Sequence, residues 1–216
     1  MKRHEQLYYS FCEANGNKHI ASEYAIEKIN GLVDSFRVKS ILEVGLGIGS
    51  ISGIILALNR NISDLNYAGT EANDFCLNAL DENLNEDYRQ LRIYSDLTEI
   101  PANIEFDLII IDGKDQNLRA IKDLISENGT IAIEGDRMMQ QGLLQKLFPD
   151  HKYVHSISLS KNKEYSPFPA ENWQGGVKII FINPTVKQSL WWFKEKCFTK
   201  IKYQYPGRYL GGEKGK

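Results

Sequence analysis

The sequence predicts an α/β protein built on a doubly wound, mostly parallel sheet, and three observations lead there. Strand-like and helix-like segments alternate from about residue 40 to residue 148, the pattern of a parallel sheet covered by helices on both faces. Phe106-Asp107-Leu108-Ile109-Ile110-Ile111-Asp112 carries four consecutive aliphatic residues, as suits a central strand buried on both sides. The alternation then stops. Residues 153–160 and 177–182 read as strands with no helix pattern between them, so they are expected to pair antiparallel.

Taken in order, residues 22–36 place Tyr24, Ala25, Ile26, Ile29, Leu32 and Val33 at helical spacing behind Ser22, a suitable N-cap. Residues 40–44 form a short buried strand, broken at once by Gly45. Residues 50–58 are apolar on most sides, as expected of a helix packed on a sheet. A strand at 65–71, a helix at 73–85 and a strand at 90–94 follow. After the central strand come a helix at 118–126, a strand at 129–134 and a helix at 138–148 stopped by Pro149. The proline- and glycine-rich stretch 166–176 reads as loop. The expectation is one domain over residues 1–216. Its core lies at 38–182, with a helical N-terminal cap at 1–37 and a basic, aromatic extension at 183–216.

Composition is that of a globular protein: 216 residues, 42% hydrophobic, 25% charged, formal charge −2. From Lys187 onward eight Lys or Arg face two acids, so an acidic body carries a basic tail. The scattered Cys12, Cys76 and Cys197 offer neither metal-ligand spacing nor a disulfide framework, which fits a reducing compartment. No secretory signal is visible and no run of about 18 or more apolar residues appears. The expected setting is the cytoplasm, with no membrane partner.

Chemistry concentrates at strand ends. Glu43-Val44-Gly45-Leu46-Gly47-Ile48-Gly49 lies where a strand becomes a helix. Glycines there permit positive φ and close approach of a ligand to backbone N–H groups. A dinucleotide fingerprint G-x-G-x-x-G would place its third glycine where Ser50 stands. Glu43 would repel a pyrophosphate, yet it favours the ammonium group of S-adenosylmethionine. Glu71 ends the next strand, where a carboxylate accepts both ribose hydroxyls of a bound nucleotide.

With these residues in place, the chain resembles the class I S-adenosylmethionine-dependent methyltransferases. The likeness runs through Glu43 to Gly49, Glu71, Ser95-Asp96, Phe106 to Asp112 and the late antiparallel strands, about residues 38–182. It implies a seven-stranded sheet with a reversed last strand and S-adenosylmethionine as cofactor. Gly45, Gly47 and Gly49 would pass under the methionine portion, with Glu43 near its ammonium group. Glu71 would hold the ribose, Ala72 would lie against the adenine and Asp96 would face its amino group. Asp96 serves equally well as a turn cap.

Asp112 and Glu134 end successive strands and are expected in one crevice as the catalytic pair. Here the likeness is to the small-molecule O-methyltransferases of the catechol type, whose strand-end acids bind a divalent metal. This sequence departs from them, with Asp112-Gly113-Lys114-Asp115 and Glu134-Gly135-Asp136. Lys114 adds a cation where a metal would sit, so two readings stand: a divalent metal held by these acids, or Asp112 or Glu134 as general base or acceptor contact. His19 is a further candidate base if the N-terminal segment folds over the crevice. Phe168 and Trp173 in the 166–176 loop are candidate walls for the acceptor.

The expected activity is methyl transfer to a small-molecule oxygen. An RNA methyltransferase is the alternative, drawing on the aromatic, lysine-rich tail with Trp191, Trp192, Phe193, Phe198, Tyr203, Tyr205 and Tyr209. A C-terminal helix laid over a sheet edge accounts for the same residues. A nicotinamide-dependent oxidoreductase and a non-catalytic binding module rank below these.

Overall fold

A computed structural model describes residues 3–62 and 64–204. The strands are β1 (Ser40–Val44), β2 (Asn66–Thr70), β3 (Leu91–Tyr94), β4 (Phe106–Ile111), β5 (Ile125–Glu134), β6 (Lys152–Ile157) and β7 (Gly176–Phe181). They form one sheet in the order β3-β2-β1-β4-β5-β7-β6. β1 to β5 run parallel, and β7 is antiparallel to both β5 and β6. The seven-stranded sheet with its reversed last strand is therefore as the sequence suggests.

The helices are α1 (Arg3–Glu13), α2 (Glu23–Phe36), α3 (Ser50–Leu58), α4 (Asp74–Leu84), α5 (Ile121–Leu124), α6 (Met138–Leu147) and α7 (Val186–Tyr203). Ser22 caps α2, its hydroxyl accepting from the Ala25 N–H at 3.2 Å. Asn73 caps α4 in the same way through Cys76. Local sequence thus sets where these helices begin.

Two cores flank the sheet. Leu108 and Ile110 face the side covered by α1, α2 and α3, while Ile109 and Ile111 face the other. All four are fully buried, which is why β4 shows no polar alternation. α3 is buried along eight of its nine residues, so its all-round apolarity reflects burial on more than one side.

One expected element shrinks. The helix read over 118–126 is only a 3₁₀ turn, Leu118–Ala120, and the four residues of α5. Ile125 instead joins β5 opposite Phe106, and the register shifts before Leu108 pairs with Thr130. Pairing to a buried strand overrides helical spacing for a β-branched residue.

The C-terminal helix α7 covers the edge strand β6. Trp192 donates to the Tyr153 carbonyl at 2.8 Å, Lys202 to the Ile157 carbonyl at 2.6 Å, and Trp191 packs edge-on against Phe181. This is the edge-covering arrangement, and it protects exposed strand groups. Tyr205 and Tyr209 lie outside the described residues.

Candidate functional site

The glycine loop takes its shape from three left-handed residues, Gly45 (φ 88°), Gly47 (φ 53°) and Gly49 (φ 88°). Each does something different. A Cβ on Gly45 would fall 2.4 Å from the Gly113 Cα, so the turns after β1 and β4 are in backbone contact. The N–H groups of Asp112 and Gly113 both donate to the Val44 carbonyl, which brings Asp112 beside the loop. A Cβ on Gly49 would strike Leu84 at 2.3 Å and Leu80 at 2.8 Å, so this glycine seats α3 on α4. At Gly47 a Cβ would meet nothing within 4 Å. The space over Gly47 is open to a ligand.

Two of the cavities at these strand ends border the glycine loop. One, of about 370 Å³, is lined by Gly45, Thr70, Glu71, Ala72 and Asp96, with Lys114 and Asp115 opposite. The other, of about 360 Å³, is lined by Gly47, Phe75, Asp112 and, from the N-terminal segment, Gly16 and His19. The segment between α1 and α2 therefore does reach the crevice, as the His19 reading required. Phe168 is partly buried against the core on the sheet face that carries α1, α2 and α3, and Trp173 pairs with Lys161, whose ammonium lies 5.8 Å from its ring centre. Neither lines these two cavities.

Glu71 is held in a fixed orientation. One carboxylate oxygen accepts from the Gly47 N–H at 2.8 Å, the other from the Ala72 and Asn73 N–H groups at 2.9 and 2.8 Å. The carboxylate thus ties the glycine loop to the end of β2. Asp96 does act as a turn cap, accepting from the Thr98 N–H and hydroxyl at 2.6 Å each. Those bonds hold its carboxyl below the ordinary aspartate range, and it lines the first cavity as well.

Glu43 lies elsewhere than its motif position suggests. It is fully buried under the loop and lines neither cavity. The Tyr67 hydroxyl donates to its Oε2 at 2.5 Å, while Oε1 has no hydrogen-bond partner. Burial, followed by the nearby Asp112 and Glu71 charges, raises its pKa well above the usual carboxylate range. The sequence contains Tyr67, but nothing in its spacing marks it as the partner of Glu43.

The Asp112 and Glu134 carboxyls lie close enough to interact, but only Asp112 lines one of the two cavities. Burial and then the Glu134 charge push the Asp112 carboxyl up to about 8, against the lowering influence of Arg137. Arg137, just after β5, is the residue the sequence reading missed. Its Nη2 lies 3.2 Å from Asp112 Oδ1 and also donates to the Asp112 carbonyl. Its Nε donates to the Glu134 carbonyl at 2.9 Å. Lys114, by contrast, is exposed. The cation beside the acid pair is Arg137, and only the return of the chain after β5 reveals it.

That cation bears on a divalent metal. A guanidinium already partners Asp112, and a second cation there would be repelled by it. Among the described residues, the three ligand-type side chains close enough to share one ion are His4, Glu5 and Glu23, in α1 and at the start of α2. The strand-end acids do not fit a resident metal.

No protein-family model matches the sequence, and no curated protein matches it. Solved structures do. An O-methyltransferase from Bacillus cereus in complex with S-adenosylhomocysteine is 15% identical at a TM-score of 0.59, over 83% of this chain and 90% of that one. The Streptomyces achromogenes O-methyltransferase of tomaymycin synthesis, in complex with S-adenosylmethionine, is 11% identical with a TM-score of 0.56. It matches over 84% of this chain and 99% of its own. A methyltransferase from Podospora anserina bound to S-adenosylhomocysteine is 16% identical at a TM-score of 0.56, over 83% and 88% of the two chains. With the strand order and the reversed β7, these likenesses give the chain the class I S-adenosylmethionine-dependent methyltransferase fold.

Proposed function

We propose that this protein transfers a methyl group from S-adenosylmethionine to an oxygen of a small-molecule acceptor. The observation that carries the reading is the pair of acid-lined cavities on either side of the glycine loop, one bordered by Glu71 and Asp96, the other by Asp112. The ligand-bound O-methyltransferases that share the fold support it.

The residues present fit the cofactor. The open space above Gly47 is a cradle that a side chain would fill. Each Glu71 oxygen keeps accepting capacity toward a ribose hydroxyl. Asp96 and Ala72 border the same cavity, suited to the adenine amino group and ring. Gly45 shapes the loop and Gly49 seats the helix behind it. Glu43, buried against Tyr67 and lining neither cavity, serves from beneath as support for the strand end that carries the loop. Acids around the crevice favour a cation.

When bound, the cofactor supplies a methyl group already activated on a sulfonium. What remains for the chain is to position the acceptor, a contribution of ~7–11 kcal/mol, and to take its proton. Asp112 Oδ2 takes the hydroxyl proton, and the raised basicity of Asp112 suits that task. Glu134 raises that basicity, and Arg137 fixes the carboxyl and limits the rise. His19 closes the acceptor side. No step needs a metal, and the expected compartment is the cytoplasm.

Titration calorimetry with S-adenosylmethionine and S-adenosylhomocysteine tests the cofactor. Both should bind, and Glu71→Ala should weaken binding at least tenfold while the circular dichroism stays native. Absence of binding by folded protein would sink the proposal. Transfer of labelled methyl to a metabolite mixture, undiminished by chelator, tests the acceptor class. An RNA acceptor is disfavoured because Trp191 and Trp192 are packed onto the sheet rather than available for base stacking.

A further inference from the structure

The outward face of α7 carries an apolar ridge. At about 100° per residue, Val186, Leu190, Phe193, Cys197 and Ile201 fall in one narrow stripe along the 18-residue helix. All five are exposed, Leu190 by 66% and Phe193 by 61%. The stripe lies opposite the side that holds the helix to the protein. On that inner side Gln188 donates to the Asn128 carbonyl, Glu195 pairs with Lys28 at 3.0 Å, and Lys202 reaches the end of β6. The outer stripe therefore contributes nothing to packing the fold, and exposed apolar residues in a continuous row call for a partner.

Lysines flank the ridge on both sides. Lys187 and Lys194 border it on one side, Lys196 and Lys200 on the other, and all four are exposed. The one acid of the helix, Glu195, is on the inner side in its ion pair with Lys28. The chain continues beyond the helix with Arg208, Lys214 and Lys216 against Glu213.

We propose that α7 is a peripheral docking helix for anionic lipid. An apolar ridge between two rows of lysines matches an interface where acyl chains lie beneath acidic headgroups. A second copy of the chain fits less well, because pairing two such helices would set lysine rows together with no acid on the contact face. An RNA ligand fits less well because the centre of the ridge is mostly aliphatic. The expectation of no membrane partner rested on the lack of a spanning segment, and no helix among the described residues is long and apolar enough to cross a membrane. A helix lying on the surface needs no such span. α7 follows the β6 edge while the crevice opens around β1 and β4, so lipid contact leaves the crevice free.

Vesicle co-sedimentation tests this with the full chain. Wild-type protein should sediment with vesicles of equal parts phosphatidylserine and phosphatidylcholine and stay in solution with phosphatidylcholine alone. Added salt should weaken the binding. Leu190→Ser with Phe193→Ser should lose it, with native circular dichroism because both side chains are exposed. Lys194→Glu with Lys200→Glu leaves the ridge intact and should weaken binding by at least roughly fivefold per lysine, the equivalent of about 1 kcal/mol each. Failure to sediment with the anionic vesicles overturns the proposal, as does sedimentation unchanged by either double variant. A dimer in sedimentation velocity that the ridge variant dissolves overturns it in favour of a second copy. RNA binding in a filter assay that survives the ridge variant but not the lysine variant, with no vesicle binding, overturns it in favour of nucleic acid.

Discussion

At the scale of single residues, the proposed chemistry rests on three charged groups that meet after β4 and β5. Asp112 holds its proton up to about pH 8 because burial and Glu134 both oppose its ionisation. If Asp112 is the acceptor's base, as proposed, it works only when deprotonated, so kcat/KM should rise with pH and level off above about 8. Glu134→Gln removes a raising charge and should move that limb to lower pH. Arg137→Met removes the lowering cation and should move it higher. Asp112→Asn should abolish the limb and cost ~10²–10⁴-fold in rate. A limb that stays put in both neighbouring variants would assign the base elsewhere. Glu43 makes a separate prediction about stability. Its folded pKa is raised, so the stability linked to it is fully present below the unfolded value near 4.3 and is lost as pH rises toward the folded value. Urea unfolding followed upward from about pH 4.3 should show stability falling as pH rises, the direction set by burial of the carboxyl. Asp112 adds a slope of the same sign. Glu43→Gln should remove the Glu43 part and leave the protein more stable at neutral pH.

At the scale of elements, the glycines of the β1–α3 loop face different surroundings. Gly47 faces open space and Gly49 faces the α4 side chains. Alanine at either carries the cost of a left-handed non-glycine residue, about 1–2 kcal/mol. Only Gly49→Ala adds a clash with Leu80 and Leu84, a further ~1–3 kcal/mol of overpacking. Denaturant midpoints should therefore fall more for Gly49→Ala. Gly47→Ala should retain most stability and lose cofactor affinity in calorimetry. The reverse ranking would mean that the cavity beside Gly47 is not the binding path. The cap at Ser22 was legible because capping is local chemistry. The end of the 118–126 helix was not, because Ile125 is claimed by Phe106 across the sheet.

At the scale of the whole molecule, acids from separate elements converge on one end of the sheet. Glu71 comes from the end of β2, Asp96 from beyond β3, and Asp112 and Asp115 from the turn after β4. Their summed field would favour a sulfonium over a neutral thioether. Raising ionic strength should therefore weaken S-adenosylmethionine more than S-adenosylhomocysteine in parallel titrations, within the limited screening of a partly enclosed site. Equal losses would remove electrostatics from cofactor choice. At the far edge, α7 seals β6 with its inner face and leaves its outer ridge bare.

The sequence alone determined the sheet class, the reversed strand and the positions of Gly45 to Gly49, Glu71, Asp96, Asp112 and Glu134. Strand polarity and burial leave periodic signatures, and a parallel sheet gathers its strand ends on one side. Only the tertiary structure decided what those residues touch. It buried Glu43 against Tyr67, turned Glu71 onto the Gly47 N–H, and set Arg137 rather than Lys114 beside Asp112. It also separated the two sides of α7, one packed on β6 and the other facing outward. Partners of this kind come from distant segments of the chain, and their meeting depends on how turns and edges pack, which no local spacing records.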